Sequence, residues 1–283
     1  MCGIIGIIGS QDVAARLVDG LKRLEYRGYD SAGVATLQGG HLQRRRAEGK
    51  LVNLETALAA EPLAGDIGIA HTRWATHGAP TERNAHPHAS GRVAVVHNGI
   101  IENFKELRGA LEAKGRVFET DTDTEVIAHL ISDSIEAGAE PMDAVRDSLG
   151  RLTGAFALAI LIDGEEDLLI GARRGSPLVV GYGRDEMYLG SDAIALAHLT
   201  NRVSYLEEGD WVVLSRLGAR IFDAQGRETA RRVDVSAVTA AMIDKGNYRH
   251  FMQKEIFEQP TVVGQTLSRY LDPNQGTLRL PDL

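Results

Sequence analysis

Cysteine is almost absent from this sequence of 283 residues, which contains one, at position 2. A lone cysteine excludes an intrachain disulfide and a cysteine-rich zinc cluster, and it fits a reducing compartment. Long apolar runs are also missing, since the longest, at 155–162, falls far short of the ~20 residues of a membrane span. The apolar start has no basic segment before it and no small-residue cleavage site after it, so a signal peptide is not expected. We therefore expect a cytoplasmic protein that does not associate with a membrane.

Positive charge is in deficit, because 31 lysines and arginines face 39 aspartates and glutamates, for a formal net charge of −8. This balance argues against a protein that binds the phosphate backbone of a nucleic acid. Hydrophobic residues at 43% and charged residues at 25% are typical of a globular chain. The length predicts about two domains and a sizeable buried core.

The first half of the chain predicts both strands and helices. The isoleucine-rich segment 3–9 is too short for a helix and has no polar face, so it predicts a strand covered on both sides. Ser10 or Asp12 is expected to cap the helix that follows. The pair at 39–40, Gly-Gly, predicts a hairpin turn. The segment 122–125 fits the capping-box pattern and predicts the start of another helix.

The second half has a different texture. From Gly154 onward, short apolar segments alternate with Gly, Asp and Pro turns, which predicts a run of strands. Strands grouped in this way, with helices grouped elsewhere, indicate an α+β fold. We expect one domain over 1–240 and a linker or hinge tail over 241–283. A helix over 252–271 is expected in that tail, interrupted or kinked at Pro260.

Cys2 is the first candidate catalytic residue. A structural cysteine is normally buried in a core, whereas the second residue of a chain is where order is usually weakest. Removal of Met1 would place the thiol and a free α-amine on one residue. That amine titrates at about pH 7.7–8.0, so its neutral form can accept the thiol proton. Cys2 is thus either a nucleophile with its own base, as in N-terminal threonine enzymes, or an incidental cysteine.

Asn98-Gly99 directly follows a predicted strand at 92–97. An Asn-Gly pair between apolar segments is a strong hairpin signal. However, only Ile100 and Ile101 follow before a helical pattern begins, which is too short for a returning strand. The alternative is a pair of oxyanion donors, namely the Asn98 amide and the Gly99 backbone N–H.

Charged residues suited to an amino-acid substrate are also present. Arg73 lies in a long polar segment without periodicity, 72–91, and can bind a carboxylate with two parallel hydrogen bonds. Asp123 lies in the first turn of a predicted helix, where it could either face a ligand or simply complement the helix dipole. Five histidines fall between 71 and 97, but their spacing does not favour a metal site. No neighbouring residue identifies one of them as a base for Cys2.

Several long motifs, taken together, resemble the class II glutamine amidotransferases, which are N-terminal-nucleophile hydrolases. The motifs lie at 1–6, 23–33 and 70–78. Further segments resemble those members of the family whose amidotransferase domain is followed by sugar-isomerase domains. These segments lie at 84–88, 96–103, 122–130 and 251–260. The resemblance implies a four-layer αββα sandwich of two antiparallel sheets. It also implies an activity that needs neither a cofactor nor a metal.

The family resemblance also implies the chemistry and the role of each matching residue. Cys2 would attack the side-chain amide of L-glutamine, release ammonia and leave a γ-glutamyl thioester that water hydrolyses. The implied roles are oxyanion hole for Asn98 and Gly99, α-carboxylate and α-ammonium binding for Arg73 and Asp123, pocket lining for Thr76 and His77, a mobile gate for Trp74, and support of neighbouring groups for Arg27. Residues 176–178 and 190–192 also match, and we interpret them as maintaining the fold.

The implied partners are L-glutamine and the sugar-isomerase domains that accept the ammonia, together with a homodimer formed through those domains. Because this chain stops at Leu283, the resemblance implies a glutaminase part of a longer enzyme. Two alternatives remain open at this point. One is the amidotransferase domain of another class II enzyme, and the other is a non-catalytic module that binds glutamine.

Overall fold

The computed structural model describes residues 2–236, 246–272 and 277–278. The chain separates into two compact units, Met1–Met242 and Ile243–Leu283. The second unit contains a helix at Phe251–Tyr270 and a small two-stranded ladder of Leu271–Asp272 with Thr277–Leu278. This helix is continuous through Pro260, so the interruption expected there is absent. No helix among the described residues is long and apolar enough to cross a membrane. The cytoplasmic location stays a prediction.

The first unit is built from strands and short helices, whose bounds are as follows. The strands are β1 (Gly3–Ile8), β2 (Ser31–Gln38), β3 (His41–Glu48), β4 (Ile67–Arg73), β5 (His88–Ser90), β6 (Val93–Ile101), β7 (Gly154–Ile162), β8 (Leu169–Arg174), β9 (Val179–Tyr182), β10 (Met187–Gly190), β11 (Arg202–Tyr205), β12 (Trp211–Ser215), β13 (Gly218–Phe222), β14 (Glu228–Thr229) and β15 (Asp234–Val235). The helices are α1 (Ala14–Lys22), α2 (Leu51–Ala60), α3 (Phe104–Glu112), α4 (Glu125–Glu136), α5 (Pro141–Arg151) and α6 (Ala193–Leu196).

These strands form two antiparallel sheets. The larger sheet has the order β15-β11-β9-β10-β1-β4-β2-β3, and the smaller has the order β14-β13-β12-β8-β7-β6-β5. Strand β1 lies centrally, between β10 and β4, and all six of its residues are buried. Ile4 and Ile8 pack between the two sheets, whereas Ile5 and Ile7 pack on the opposite face. The predicted two-sided strand is confirmed.

Three hydrophobic clusters define four layers. One fills the space between the sheets and includes Val96 and Leu189. A second packs the outer face of the larger sheet against helices α1 and α2, with Leu17 and Leu54 at the contact. A third packs β6 and β7 against α3, α4 and α5, with Ile127 fully buried. The α+β class and the αββα sandwich of two antiparallel sheets are confirmed.

Both predicted helix caps are wrong, although both helices exist. Helix α1 begins after Val13 without a side-chain cap, and Asp12 instead accepts a hydrogen bond from the Gly65 backbone N–H at 2.8 Å. Helix α4 begins after Thr124, again without a side-chain cap. The side chains expected to form its capping box are used in longer-range contacts, described below.

The Asn98-Gly99 pair is not a hairpin turn. Both residues lie inside β6, where they pair with Ala157 and Phe156 of β7. Gly39-Gly40, by contrast, forms the predicted turn between β2 and β3, with φ angles of 55° and 78° that favour glycine.

Candidate active site

Cys2 immediately precedes β1, so the central strand of the larger sheet fixes its backbone. Its thiol lies against the backbone of Trp74, which follows β4, the neighbour of β1. The Trp74 N–H donates to Cys2 Sγ at 3.2 Å, and the S–H faces the Trp74 carbonyl oxygen at 3.7 Å. Burial raises the pKa of the Cys2 thiol, and the Trp74 N–H offsets this only in part. The thiol is therefore protonated at neutral pH, and a base is needed to activate it.

The side-chain amide of Asn98 lies beside the Cys2 backbone. Its Nδ2 donates to the Cys2 carbonyl oxygen at 3.3 Å, and its Oδ1 lies 2.9 Å from Nε2 of His71. Gly99 follows with a φ of 132°, a region that side-chain-bearing residues rarely adopt. A Cβ at Gly99 would lie 1.9 Å from the Ala155 carbonyl oxygen, so only glycine fits here. Oxyanion donors need such fixed positions.

Arg27 reaches the Cys2 carbonyl group from another direction. Its guanidinium lies 3.5 Å from the Cys2 carbonyl oxygen and forms an ion pair with Asp192. Asp192 also accepts a hydrogen bond from the Ile194 N–H at 3.0 Å and so caps α6. Residues 190–192 were interpreted as maintaining the fold, but Asp192 is in addition the partner of a cleft residue.

Arg73 is buried, with 2% of its surface exposed, at the end of β4. Its guanidinium donates to the carbonyl oxygens of Gly78 and Ala79, both at 3.2 Å, and to that of His77. These partners are neutral, so the positive charge of Arg73 is not neutralised within these hydrogen bonds. Burial lowers the pKa of Arg73, while Asp30, Cys2 and Asp123 favour its charged form.

Asp123 connects the start of α4 to β6. Its Oδ2 accepts a hydrogen bond from the Ile101 N–H at 2.8 Å, and its Oδ1 lies 4.0 Å from Nδ1 of His77. The residue is only 4% exposed. Arg73, His77 and Asp123 thus lie together: Arg73 donates to the His77 carbonyl oxygen, and the His77 imidazole lies near Asp123 without a hydrogen bond to it.

An open cleft of about 650 Å³ unites most of the predicted site residues. Its walls contain Cys2, Arg27, Trp74, Thr76, Asn98, Gly99, Ile100, Ser176 and Pro177. Trp74 is 54% exposed at the cleft. Arg73, His77 and Asp123 are not part of these walls but form the group described above, in which Arg73 and His77 adjoin Trp74 and Thr76 in the sequence. Ser176 and Pro177, which the sequence predicts to maintain the fold, line the cleft.

Two residues of the site were missed by the sequence analysis. Asp30 accepts a hydrogen bond from the Ala75 N–H at 2.6 Å and so holds the segment that carries Trp74. His71 contacts the Asn98 side chain. Both lie within motifs that carry the family resemblance, which was the available signal. Within the part of the chain that the structure describes, no group of three or more His, Cys, Asp or Glu side chains is arranged to hold a metal ion.

Comparison with known proteins agrees with this geometry. A family model described as a glutamine amidotransferase domain matches residues 71–198. This chain carries a glutamine amidotransferase domain. Its sequence is 66% identical, over 99% of the chain, to a glutamine–fructose-6-phosphate aminotransferase [isomerizing] of Brucella suis biovar 1 (strain 1330). The corresponding protein of Zymomonas mobilis subsp. mobilis is 64% identical over the whole chain. The amidotransferase chain spans about half the length of these relatives, 46% in each case.

Solved structures share the fold of the amidotransferase domain. The glutamine phosphoribosylpyrophosphate amidotransferase of B. subtilis, complexed with ADP and GMP, superposes with a TM-score of 0.69 at 25% identity. The match covers 84% of this chain and 55% of that one. A structure described as the allosteric regulatory enzyme of purine biosynthesis gives a TM-score of 0.68 at 29% identity, over 79% of this chain and 49% of that one. The N-terminal-nucleophile hydrolase type of sandwich is confirmed.

Proposed function

We propose that the amidotransferase domain hydrolyses L-glutamine to L-glutamate and ammonia, with Cys2 as the nucleophile. The observation that carries the proposal is the meeting of three groups at one cleft. These are a half-buried thiol, a side-chain amide donor on Asn98 and a glycine, Gly99, whose backbone conformation no other residue adopts easily. A nucleophile beside oxyanion donors is the arrangement required for acyl transfer.

In the proposed reaction, the α-amine of Cys2, set free by removal of Met1, takes the thiol proton as Sγ attacks the carboxamide carbon. The oxyanion of the tetrahedral intermediate is stabilised by Asn98 Nδ2 and the Gly99 N–H. The C–N bond then breaks, and the leaving nitrogen takes the proton from the α-ammonium, so that ammonia departs. Water, deprotonated by the same amine, attacks the thioester, and glutamate leaves as the thiol is restored. Met1 itself lies outside the described residues.

Recognition of the amino-acid head would use the group formed by Arg73, His77 and Asp123. Arg73 would bind the α-carboxylate, since its hydrogen-bond partners are carbonyl groups and its charge is available to an anion. Asp123 would bind the α-ammonium through Oδ1, because Oδ2 is committed to the Ile101 N–H. Thr76 and His77 would line the pocket, and the exposed Trp74 would cover the bound glutamine and gate the passage of ammonia. Arg27 would orient the Cys2 backbone.

We further propose the role of the chain in a longer protein. The relatives are named for an aminotransferase reaction on fructose 6-phosphate and are about twice as long as this chain. In such a protein, residues 1–240 would supply ammonia for glucosamine 6-phosphate synthesis, and 241–283 would link them to sugar-isomerase domains. Dimerisation would then occur through those domains.

The test is glutamate release from glutamine by the purified chain, with intact-mass measurement of the N-terminus. Protein without Met1 should release glutamate, and Cys2→Ala, a variant with the same processing, should not. Protein that retains Met1 should be nearly inactive, because its Cys2 nitrogen is an amide that cannot accept a proton. Glutamine binding without turnover in folded, processed protein would contradict the proposal and indicate a non-catalytic module. Full activity with Met1 retained would refute the role of the amine.

A further inference from the structure

The side-chain amide of Asn98 has two chemically different ends, and its neighbours determine which end faces the nucleophile. The end nearest Cys2 lies 3.3 Å from the Cys2 carbonyl oxygen, which can only accept hydrogen bonds. That end must therefore be the NH₂ group. The Oδ1 end consequently points away from Cys2, toward Nε2 of His71 at 2.9 Å.

The amide orientation fixes the proton on His71. An amide oxygen only accepts, so Nε2 of His71 must carry a proton and donate it. Burial lowers the pKa of His71 to about 3, against the opposing effects of the Asn98 side chain and the His97 backbone, so the ring is neutral and carries one proton. Its Nδ1 is buried without a hydrogen-bond partner among the described residues. His71 is therefore in its Nε2–H form.

Packing holds the His71 ring in place. The residue is fully buried on β4, opposite Ile4 of β1 and Gly33 of β2. The ring of His86 packs against it at an interplanar angle of 41° with centroids 4.2 Å apart, and Nε2 of His86 lies 3.0 Å from Thr124 Oγ1. A donor fixed in this way defines one orientation of its acceptor.

We propose that His71 is a positioning residue of the glutaminase reaction, whose Nε2–H holds Asn98 Oδ1 and thereby aims Nδ2 at the site of the oxyanion. This inference rests on the function proposed above for the cleft. Without the His71 donor, rotation of the amide by half a turn would present an oxygen to the developing negative charge. An oxyanion donor is worth about 10²–10³-fold in kcat, so loss of its orientation is expected to remove part of that factor.

The first test compares kcat and KM for glutamine in the full chain. His71→Leu should lower kcat by about 10–100-fold and change KM by less than about 3-fold, because the donor acts on the transition state. His71→Gln, which retains an amide N–H near the position of Nε2, should recover most of the loss. His129→Leu is the matched control, since His129 is equally a buried imidazole but contacts Ser90, Glu125 and Phe118 rather than Asn98. It should lower the melting temperature without the selective loss of kcat. Equal kcat losses in both leucine variants would overturn the proposal.

The second test asks whether His71 acts through Asn98. In an Asn98→Ala background, His71→Leu should cause no further loss of kcat, because the amide that it positions is already absent. The same fold loss in both backgrounds would refute positioning and indicate general destabilisation. Nitrogen-15 spectra of the wild-type protein provide a measurement that needs neither variant nor turnover. They should show a protonated Nε2 and an unprotonated Nδ1 for His71, whereas a proton on Nδ1 would overturn the inference even if glutaminase activity is established.

Discussion

Glu125 anchors the segment that carries Asp123, and its removal gives a quantitative test of the site's support. The Glu125 side chain is 3% exposed at the start of α4. Its Oε1 accepts the Glu119 N–H at 2.8 Å, and its Oε2 accepts the Thr120 N–H and hydroxyl, both at 2.7 Å. His129 Nε2 lies 3.4 Å from Oε1. Each carboxylate oxygen therefore receives at least one backbone donor.

These hydrogen bonds set the size of the expected effect. Burial alone would raise the pKa of Glu125, but the bonds from His129, Glu119 and Thr120 outweigh it and lower the pKa from 4.5 to about 2. That difference corresponds to about 3 kcal/mol of stability at neutral pH, of which nearby solvent screens a part. Because the folded-state pKa is lowered, this stability is present above about pH 4.5 and is lost as the pH falls through about 2.

The perturbation is Glu125→Gln, which keeps the shape but sets an NH₂ group against one of the backbone donors. At pH 7 the free energy of unfolding should fall by about 2–3 kcal/mol, or about 4–12 °C in melting temperature for a domain of this size. The difference from wild type should shrink by about 1.4 kcal/mol by about pH 3.5, since only the wild type has the ionised group to lose. KM for glutamine should rise more than kcat falls, because the segment carrying Asp123 loosens.

The assay is denaturant unfolding at a series of pH values. The control is Glu106→Gln, which changes an exposed glutamate in the first turn of α3 and should alter stability by less than about 0.5 kcal/mol. A difference between wild type and Glu125→Gln that is the same at pH 7 and at low pH would refute the electrostatic reasoning. A difference near zero at pH 7 would refute the assigned hydrogen bonds.

Two further substitutions test the cleft itself. Gly99→Ala would place a Cβ 1.9 Å from the Ala155 carbonyl oxygen at a φ of 132°, so we expect a loss of about 1–3 kcal/mol in stability and about 10²-fold or more in kcat. The control is Gly109→Ala, on helix α3 with open space around it, which should leave kcat unchanged. Equal kcat values in the two variants would contradict the oxyanion role of Gly99. Asp192→Asn keeps the acceptor that caps α6 but removes the charge that pairs with Arg27. We therefore expect kcat/KM to fall by about 10-fold while the melting temperature stays within a few degrees. An unchanged kcat/KM would show that Arg27 does not need this partner.

Local hydrophobic patterns predicted strands and helices, because the apolar residues that make these patterns also pack in the layers of the fold. The alternation of Ile4, Ile5, Ile7 and Ile8 between two clusters is what a strand with both faces covered requires. The capping box at 122–125 failed for a physical reason: Thr122 Oγ1 contacts Thr120 Oγ1 and Nε2 of His88, and Glu125 accepts from Glu119 and Thr120, so neither side chain caps α4. Tertiary partners therefore decide where a polar side chain is used.

The site could be predicted only through its long motifs, since its decisive contacts join distant parts of the sequence. Asn98 meets Cys2 across 96 positions, and Arg27 meets Asp192 across 165. No spacing rule predicts such pairs, and the Asn98-Gly99 pair left a hairpin turn and an oxyanion donor pair open as alternatives until its pairing with β7 excluded the turn. Asp30 was missed because its contact exists only once β2 pairs with β4, and His71 was missed because its contact exists only once β4 of one sheet faces β6 of the other.

The hydrogen-bond partners of the Cys2 thiol distinguish the proposed reaction from that of a cysteine paired with a histidine. A Cys–His pair lowers the thiol pKa and accumulates thiolate before the substrate arrives. Here burial raises the pKa, and the hydrogen-bond partners of the thiol are backbone groups of Trp74. The proton must then leave as Sγ attacks, and an α-amine that titrates at about pH 7.7–8.0 is a base of suitable strength on the same residue. Activity would accordingly depend on removal of Met1, which creates that base.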